Sequence, residues 1–379
     1  MDNHFTYGPR RGPCVVCGHS GTACARCRVA FYCGKEHQKQ HWKVHKTTCG
    51  CVEVRSDERV GRHIVAVKDI PMRTVLMREL PLVVFPRAPR ATANPLEPEE
   101  VCVACCLKVN ETVPCGHCGA PLCKRSCPNL DRHNIECAAL KPLEHSPRRF
   151  MREATLKFGD MLFPTGLRMD AAILKDLFPH LDPFAELHGL VAVRIWKAFE
   201  QEHGPRLLNL QHEIAMPSSE NGTVDAAKLK SAYENFLTSV SVPADVALSL
   251  LACKGSETRK GLERACGACL INSFVFKKEK YSGAALYSGL SLLEHSCLPN
   301  ARVLPDGDSE EVLLIAARDI AAGEHVTINY DYEKLLPTRS ERWLKNAFLG
   351  FVCRCELCED PTDRGTHLNA WYCTTCKSK

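Results

Sequence analysis

The chain has 379 residues, 45% hydrophobic and 25% charged, with a net charge of +5. That composition excludes a disordered or fibrous chain and leaves room for two or three domains with buried cores. No apolar run approaches the ~18 residues of a membrane span, and MDNHFTYGPRRGPC at the start has no apolar signal stretch. A reducing location, cytoplasm and nucleus, is therefore expected, with no membrane partner. Twenty-four cysteines in such a compartment read as metal ligands and not as disulfides.

The first cysteine cluster is Cys14-x2-Cys17, Cys24-x2-Cys27, Cys33-x3-His37 and His45-x3-Cys49. Eight ligands make two tetrahedral zinc sites. Interleaving assigns Cys14, Cys17, Cys33 and His37 to one ion, and Cys24, Cys27, His45 and Cys49 to the other. A helix expected from Lys35 to His45 would put His37 and His41 on one face, making His41 a rival ligand. The spacing and the FYC…HW..H…C tail resemble the MYND zinc finger, with His37 where that pattern has cysteine. The resemblance implies that residues 1–50 hold proline-rich peptides of partner proteins. Eight Lys/Arg stand against Asp2 and Glu36 here. No Arg or aromatic spacing suggests base reading, so a solvated basic face is expected and nucleic acid is not an expected partner.

Residues 51–101 turn to strand character. Val65–Val67 and Val75–Met77 are predicted strands around a turn at KDIPM, and Ala88–Glu100, Pro-rich and acidic, reads as a linker. The second cluster, within 102–138, repeats the first: Cys102-x2-Cys105, Cys115-x2-Cys118, Cys123-x3-Cys127 and His133-x3-Cys137. The same interleaving assigns Cys102, Cys105, Cys123 and Cys127 to one ion, and Cys115, Cys118, His133 and Cys137 to the other. Cys106 is left as a buried thiol. Residues 139–268 read as a helical insertion. Ala192, Ile195, Trp196 and Phe199 form one apolar helix face, and PADVALSLLA places Pro243 near a helix start. Strands return within 269–335, at Cys269–Phe276, Glu310–Ile320 and HVTINYDY. The expected fold is α+β, one β-rich domain interrupted by a zinc finger and a helical insertion.

The tail, 336–379, carries Cys353-x-Cys355-x2-Cys358. Three thiolates leave one tetrahedral corner open, and Cys297, His367, Cys373 and Cys376 are the candidates to close it. Cys373-x2-Cys376 is itself half a zinc site with no visible partner pair.

LLEHSCLPNARV, LLIAARDIAAGEHVTINYDY and FVCRCELC together resemble the second half of a SET domain, and GRHIVAVKDIPMRTVLMRELPLVV is similar to the first half. A SET domain interrupted by a MYND finger and helices is the SMYD arrangement, and an extra N-terminal MYND finger resembles the arthropod-type SmydA (msta-like) subgroup. The resemblance implies an S-adenosylmethionine-dependent protein-lysine methyltransferase, acting as a monomer on a lysine-bearing protein or peptide, histone or not. It implies that Cys297 closes the tail zinc site and that Tyr330 is the catalytic tyrosine. It also implies cofactor contacts from Asn272, from the backbone at His295, from the Phe351 ring, and from Tyr330 itself. Gly61, Arg62 and His63 stand where the family has Gly-x-Gly beside the cofactor, and Glu294 stands where it has asparagine. Tyr332 would line the lysine channel. Two of these positions, Glu294 and His63, depart from the family pattern. A carboxylate only accepts hydrogen bonds, and His63 brings a side chain where glycine allows close backbone approach. The alternative expectation is a catalytically weak or inactive SET/MYND scaffold serving as a transcriptional corepressor.

Overall fold

The structure, a computed structural model, describes residues 11–58, 60–87, 100–109, 111–140, 185–200, 210–211, 213, 226–252, 255–278, 281–305, 310–330, 338–348 and 351–365. Most of the expected linker Ala88–Glu100, and Tyr332, His367, Cys373 and Cys376, lie outside these residues. Strands and helices are mixed, as expected for α+β, and among the described residues no helix is long and apolar enough to cross a membrane. Packing separates two compact units, one drawn from Met1–Leu82, Ile214–Tyr233 and Tyr287–Lys379, the other from Val83–Glu213 and Glu234–Leu286.

In the first unit, the N-terminal finger is a small antiparallel sheet of Arg11–Pro13, Ser20–Ala23 and Phe31–Tyr32, with the helix Lys35–Thr48 after it. Lys68 and Arg78 help tie the finger to the rest of its unit. Lys68 Nζ donates to the carbonyls of Lys46 and Cys49, each at 3.0 Å, and the Arg78 guanidinium lies 5.8 Å from the centre of the Phe31 ring. A hairpin pairs Val52–Asp57 with Gly61–Ala66, and Gly61 takes φ +70° at its turn, a conformation that suits glycine. Val75–Glu79 joins Val312–Ala316 and Ala301–Pro305 in a three-stranded sheet. Ile64, Ile70, Leu290, Leu314 and Ile320 are buried in this unit. A two-residue parallel pairing of Glu294–His295 with Thr327–Ile328 aligns the two segments that carry the site.

Glu79 sets the entry to those segments. Its two carboxylate oxygens accept from the backbone N–H groups of Gly289 and Leu290, at 2.8 and 3.0 Å. This caps the short 3-10 turn Leu290–Leu292, which leads directly into Leu293, Glu294 and His295. Burial pushes the Glu79 carboxyl up to about 7, against the pull of these N–H groups.

The second unit holds the sheet Ser273–Lys278, Tyr281–Leu286, Val83–Pro86, in that order. Its zinc-binding stretch includes the helix Leu130–Cys137, and its larger helices include Ala185–Glu200 and Ser256–Asn272. The helices Ala185–Glu200 and Ser256–Asn272 pack on these strands. Two expectations about helix bounds change here. Residues 269–272 close the helix Ser256–Asn272 instead of opening a strand, and Asn272 Nδ2 donates back to the Ala268 carbonyl at 3.0 Å. Pro243 sits inside the helix Ala226–Leu251 and not near its start.

The helix Ala185–Glu200 is buried on nearly every side at its centre, with Ala192, Val193, Ile195 and Phe199 all inside. Arg194 is buried among them. It donates to Glu136 through Nε at 2.9 Å and through Nη2, to the Val84 carbonyl at 3.0 Å and to the Val103 carbonyl at 2.8 Å. Glu136 in turn accepts from Nδ1 of His133 at 2.7 Å. Burial opposes the Glu136 charge, but Arg194 and His133 hold its carboxyl below the usual carboxylate range. One guanidinium thus links a strand, a zinc knuckle, a zinc-ligand helix and the insertion. Arg194→Leu strands a buried carboxylate, a change worth about 3–5 kcal/mol. Hydrogen exchange of the Ala185–Glu200 amides is expected to accelerate on the order of a hundredfold or more; unchanged protection would refute the link.

Candidate functional site

The predicted ligands assemble into five tetrads: Cys14, Cys17, Cys33 and His37; Cys24, Cys27, His45 and Cys49; Cys102, Cys105, Cys123 and Cys127; Cys115, Cys118, His133 and Cys137; and Cys297, Cys353, Cys355 and Cys358. Within each, the ligand atoms lie within 4.8 Å of one another. A tetrahedron of thiolates at ~2.3 Å from zinc has edges of about 3.8 Å. The sulfur pairs Cys24–Cys49, Cys102–Cys127, Cys105–Cys123, Cys115–Cys137 and Cys297–Cys353 are 3.9, 3.9, 3.7, 3.7 and 3.9 Å apart. The residues therefore fit zinc in both donor type and spacing.

The local backbone explains why. In each C-x2-C knuckle of the first four tetrads the residue after the second cysteine, Gly18, Arg28, Cys106 or Gly119, has positive φ. Its N–H donates to the carbonyl of the first cysteine, at 2.8 to 2.9 Å. This tight turn aims both sulfurs at one point. His41 is not a ligand: its Nδ1 pairs with the Tyr32 hydroxyl at 3.0 Å, while His45 Nε2 approaches Cys27 Sγ at 3.5 Å. Cys106 is fully buried, as expected.

The fifth tetrad joins the middle of the chain to its tail. Cys297 Sγ is 3.5 Å from Cys358 Sγ. The helix Arg339–Phe348 backs this centre. Thr338 and Glu341 form a capping box at its start, with Glu341 Oε2 accepting from the Thr338 N–H at 2.8 Å. Trp343 is buried against the cluster with Phe351 and Leu357. Arg342, buried, donates to Cys358 Sγ at 3.5 Å and pairs with buried Asp363 at 2.5 Å.

His295 connects the metal centre to Tyr330. Its Nδ1 accepts from the Tyr330 N–H at 3.1 Å, so Nε2 carries the proton in the neutral ring and faces Cys297 Sγ at 3.3 Å. The rings of His295, Tyr330 and Phe351 meet edge to face, with centres 5.1, 5.7 and 6.1 Å apart. The Tyr330 hydroxyl donates to the Leu293 carbonyl at 2.6 Å. The residue is 40% exposed, yet burial of its hydroxyl end and the Glu294 carboxylate push the phenol above its ordinary value.

The two departures from the family pattern turn out to be one physical unit. Glu294 Oε2 accepts from His325 Nδ1 at 2.5 Å. The His325 ring stacks on His63, with centres 4.3 Å apart and planes 12° from parallel. His63 is buried and its Nδ1 donates to the Gly61 carbonyl at 2.9 Å. The His63 imidazole is thus engaged by the stack and by its own turn. Arg62 lies half-buried beside it. Asn272 belongs to the second unit, where its Nδ2 also donates to the Gln211 carbonyl at 2.7 Å. Sequence reasoning missed His325, Arg342, Asp363 and Asn346, whose Nδ2 lies 3.5 Å from His295 Nε2. The Thr338-x-x-Glu341 spacing was a legible signal for the helix of Arg342 and Asn346; the Arg342–Asp363 pairing left none.

Intact protein is expected to carry five zinc ions by native mass spectrometry, and Cys297→Ser to carry four, with faster hydrogen exchange over 351–358. Five ions in that variant would remove Cys297 from the ligand set. Because Glu294, His325 and His63 act together, His63→Gly and Glu294→Asn should be non-additive in thermal unfolding, with a coupling of about 0.5–3 kcal/mol. Strict additivity would show them independent.

A MYND finger family model matches residues 14–49, and a SET domain model matches residues 61–331, well over half of the chain. The chain is 26% identical over 335 residues to SET domain-containing protein SmydA-8, isoform A, of Drosophila melanogaster, covering 84% of this chain and 58% of that protein. It is 33% identical over 100 residues to histone-lysine N-methyltransferase SMYD3 of Homo sapiens, covering 26% and 23%. The chain spans less than two thirds of the length of these relatives. The solved SET domain of LSMT bound to lysine and AdoHcy aligns with 86% of this chain and 62% of that one, at TM-score 0.31 and 12% identity, too loosely to add to the fold already described. With a SET match enclosing the Glu294–Cys297 segment and Tyr330, and a MYND match on the first two tetrads, the chain belongs to the SET domain family, in the SMYD branch that joins this domain to a MYND zinc finger.

Proposed function

We propose that the chain is a protein-lysine methyltransferase using S-adenosylmethionine, with its N-terminal MYND finger recruiting a partner protein. The observation that carries this reading is the Tyr330 phenol, hydrogen-bonded to the Leu293 carbonyl and walled by His295 and Phe351. Aromatic faces, a carbonyl oxygen and the nearby Glu294 carboxylate suit a cationic guest. When bound, S-adenosylmethionine supplies an electrophilic methyl group on a sulfonium.

The chain's own residues would act by position. The Tyr330 hydroxyl donates its hydrogen bond to the Leu293 carbonyl and keeps its oxygen lone pairs, so it serves as an acceptor that orients an incoming amine. With its pKa raised, the phenol stays protonated and is not the base. The lysine, with an unperturbed value near ~10.4, must shed its proton to solvent. The zinc-held tail fixes Phe351, and His295 ties that metal centre to the backbone of Tyr330.

Likeness to SmydA-8 over most of the chain supports the SmydA subgroup. Exposed Trp42 and Val44 on the finger helix support capture of a proline-rich peptide. Zinc thiolates in number favour a reducing location, cytoplasm or nucleus, and a monomer fits the arrangement. A scaffold role as corepressor is the second reading, favoured by the Glu294–His325–His63 unit where the family has asparagine and glycine.

Calorimetry with S-adenosylmethionine separates the two: binding with methyl transfer to a lysine peptide library supports the enzyme, and no binding supports the scaffold. Tyr330→Phe should lower turnover on the order of a hundredfold while leaving cofactor affinity nearly unchanged. The wild-type rate should climb with pH toward 10 with no descending limb; a fall below pH 9 would mean that the phenol titrates and acts otherwise.

A further inference from the structure

The five tetrads differ in how open they are. Among the described cysteines only Cys17 and Cys33 are exposed. Both belong to the tetrad with Cys14 and His37, and their sulfurs are 3.6 Å apart. Every other tetrad buries two or more of its ligands and exposes none. Zinc holds its cysteines as thiolates at neutral pH, and the thiolate is the form that oxidants attack. Two accessible thiolates on one ion, side by side, therefore combine a nucleophile with a resolving partner.

We propose that the Cys14–Cys17–Cys33–His37 centre is an oxidant-labile zinc site, at which a hydroperoxide joins Cys17 to Cys33 and releases the ion. The Cys33 thiolate attacks the peroxide; an S–O bond forms, the O–O bond breaks, and the departing oxygen takes a proton from solvent. Cys17 then attacks the sulfenic sulfur; the S–S bond forms, the S–O bond breaks, and hydroxide leaves as water with a second proton. Two thiolates lose two electrons to one hydroperoxide, and two protons are consumed. Cys33 reacts first because Cys17 Sγ is damped by His19, whose Nδ1 lies 3.3 Å away. With two of four ligands gone, zinc departs. The helix Lys35–Thr48 then loses its anchor at His37 but keeps the one at His45, on the second ion. Exposed Trp42 and Val44 lie on this helix, so the modification alters the surface around them. The inference rests on zinc occupancy and is independent of methyl transfer.

The test uses the full-length zinc-loaded chain and hydrogen peroxide. Zinc release is monitored with a chromogenic chelator, and disulfides are mapped under non-reducing mass spectrometry. One equivalent should leave first, together with a Cys17–Cys33 disulfide, and a thiol reductant with added zinc should restore it. Cys17→His keeps a four-ligand set but removes the resolving thiol; it should hold all five ions and release the first at least about tenfold more slowly. If that variant binds only four ions, the wild-type disulfide map decides alone. Several equivalents leaving together, or first oxidation at any other tetrad, overturns the proposal.

Discussion

The sulfur of Cys297 is the constraint on which the site depends. It closes a metal tetrahedron with Cys353, Cys355 and Cys358, so a loop of 56 residues is cinched at one point. Closing a flexible loop of that length costs about 4 kcal/mol plus a constant. Binding energy for a structural zinc ion, on the order of 10–16 kcal/mol in small peptides, exceeds this comfortably. The aromatic cluster beside it is placed by that closure. Phe351 stands two residues before Cys353, His295 two residues before Cys297, and Tyr330 is held by the ring of His295 through its own backbone N–H. Metal centre and aromatic cluster are one structure.

Zinc does the work of a core elsewhere too, but with different degrees of integration. In the second unit the ligand His133 is fixed by Glu136, and Glu136 by Arg194. This is the common arrangement in which a carboxylate orients a metal-bound imidazole, extended by a buried arginine into further backbone contacts. The N-terminal finger has no such buried chain behind its first ion among the described residues. Lys68 reaches it at the helix end, beside the second ion, and Arg78 at the sheet, over the Phe31 ring. One set of spacings therefore yields a module woven into a core and a module that keeps an open flank.

Those spacings explain what was legible. A tetrahedral ion needs four donors, and a knuckle brings two to one point, so pairs of cysteines can be counted straight from the chain. Helical periodicity likewise exposed Ala192, Ile195 and Phe199 as a core face. Periodicity said nothing of Arg194, because a charged residue in an apolar helix looks like a solvent position until its partners, 58 or more residues away, are known. The same limit hid Arg342 and Asp363, and it misplaced residues 269–272, where an apolar run satisfies strand and helix equally well. Closure of the tail by Cys297 came from family resemblance, since four donors competed for the place on spacing alone.

Glu294 and His63 show how such limits bear on function. Taken singly, each change reads as damage: a lost amide donor, a side chain in place of glycine. His325 alters that balance. A carboxylate that can only accept finds a donor in its ring, and the ring gains a flat partner in His63, which also donates to the Gly61 carbonyl. The pair of substitutions is therefore compensated within the fold, so the fold offers no structural reason to regard this region as decayed. What changes is the charge beside Tyr330: a neutral amide has become a carboxylate, which favours a positive guest over a neutral one by electrostatics alone.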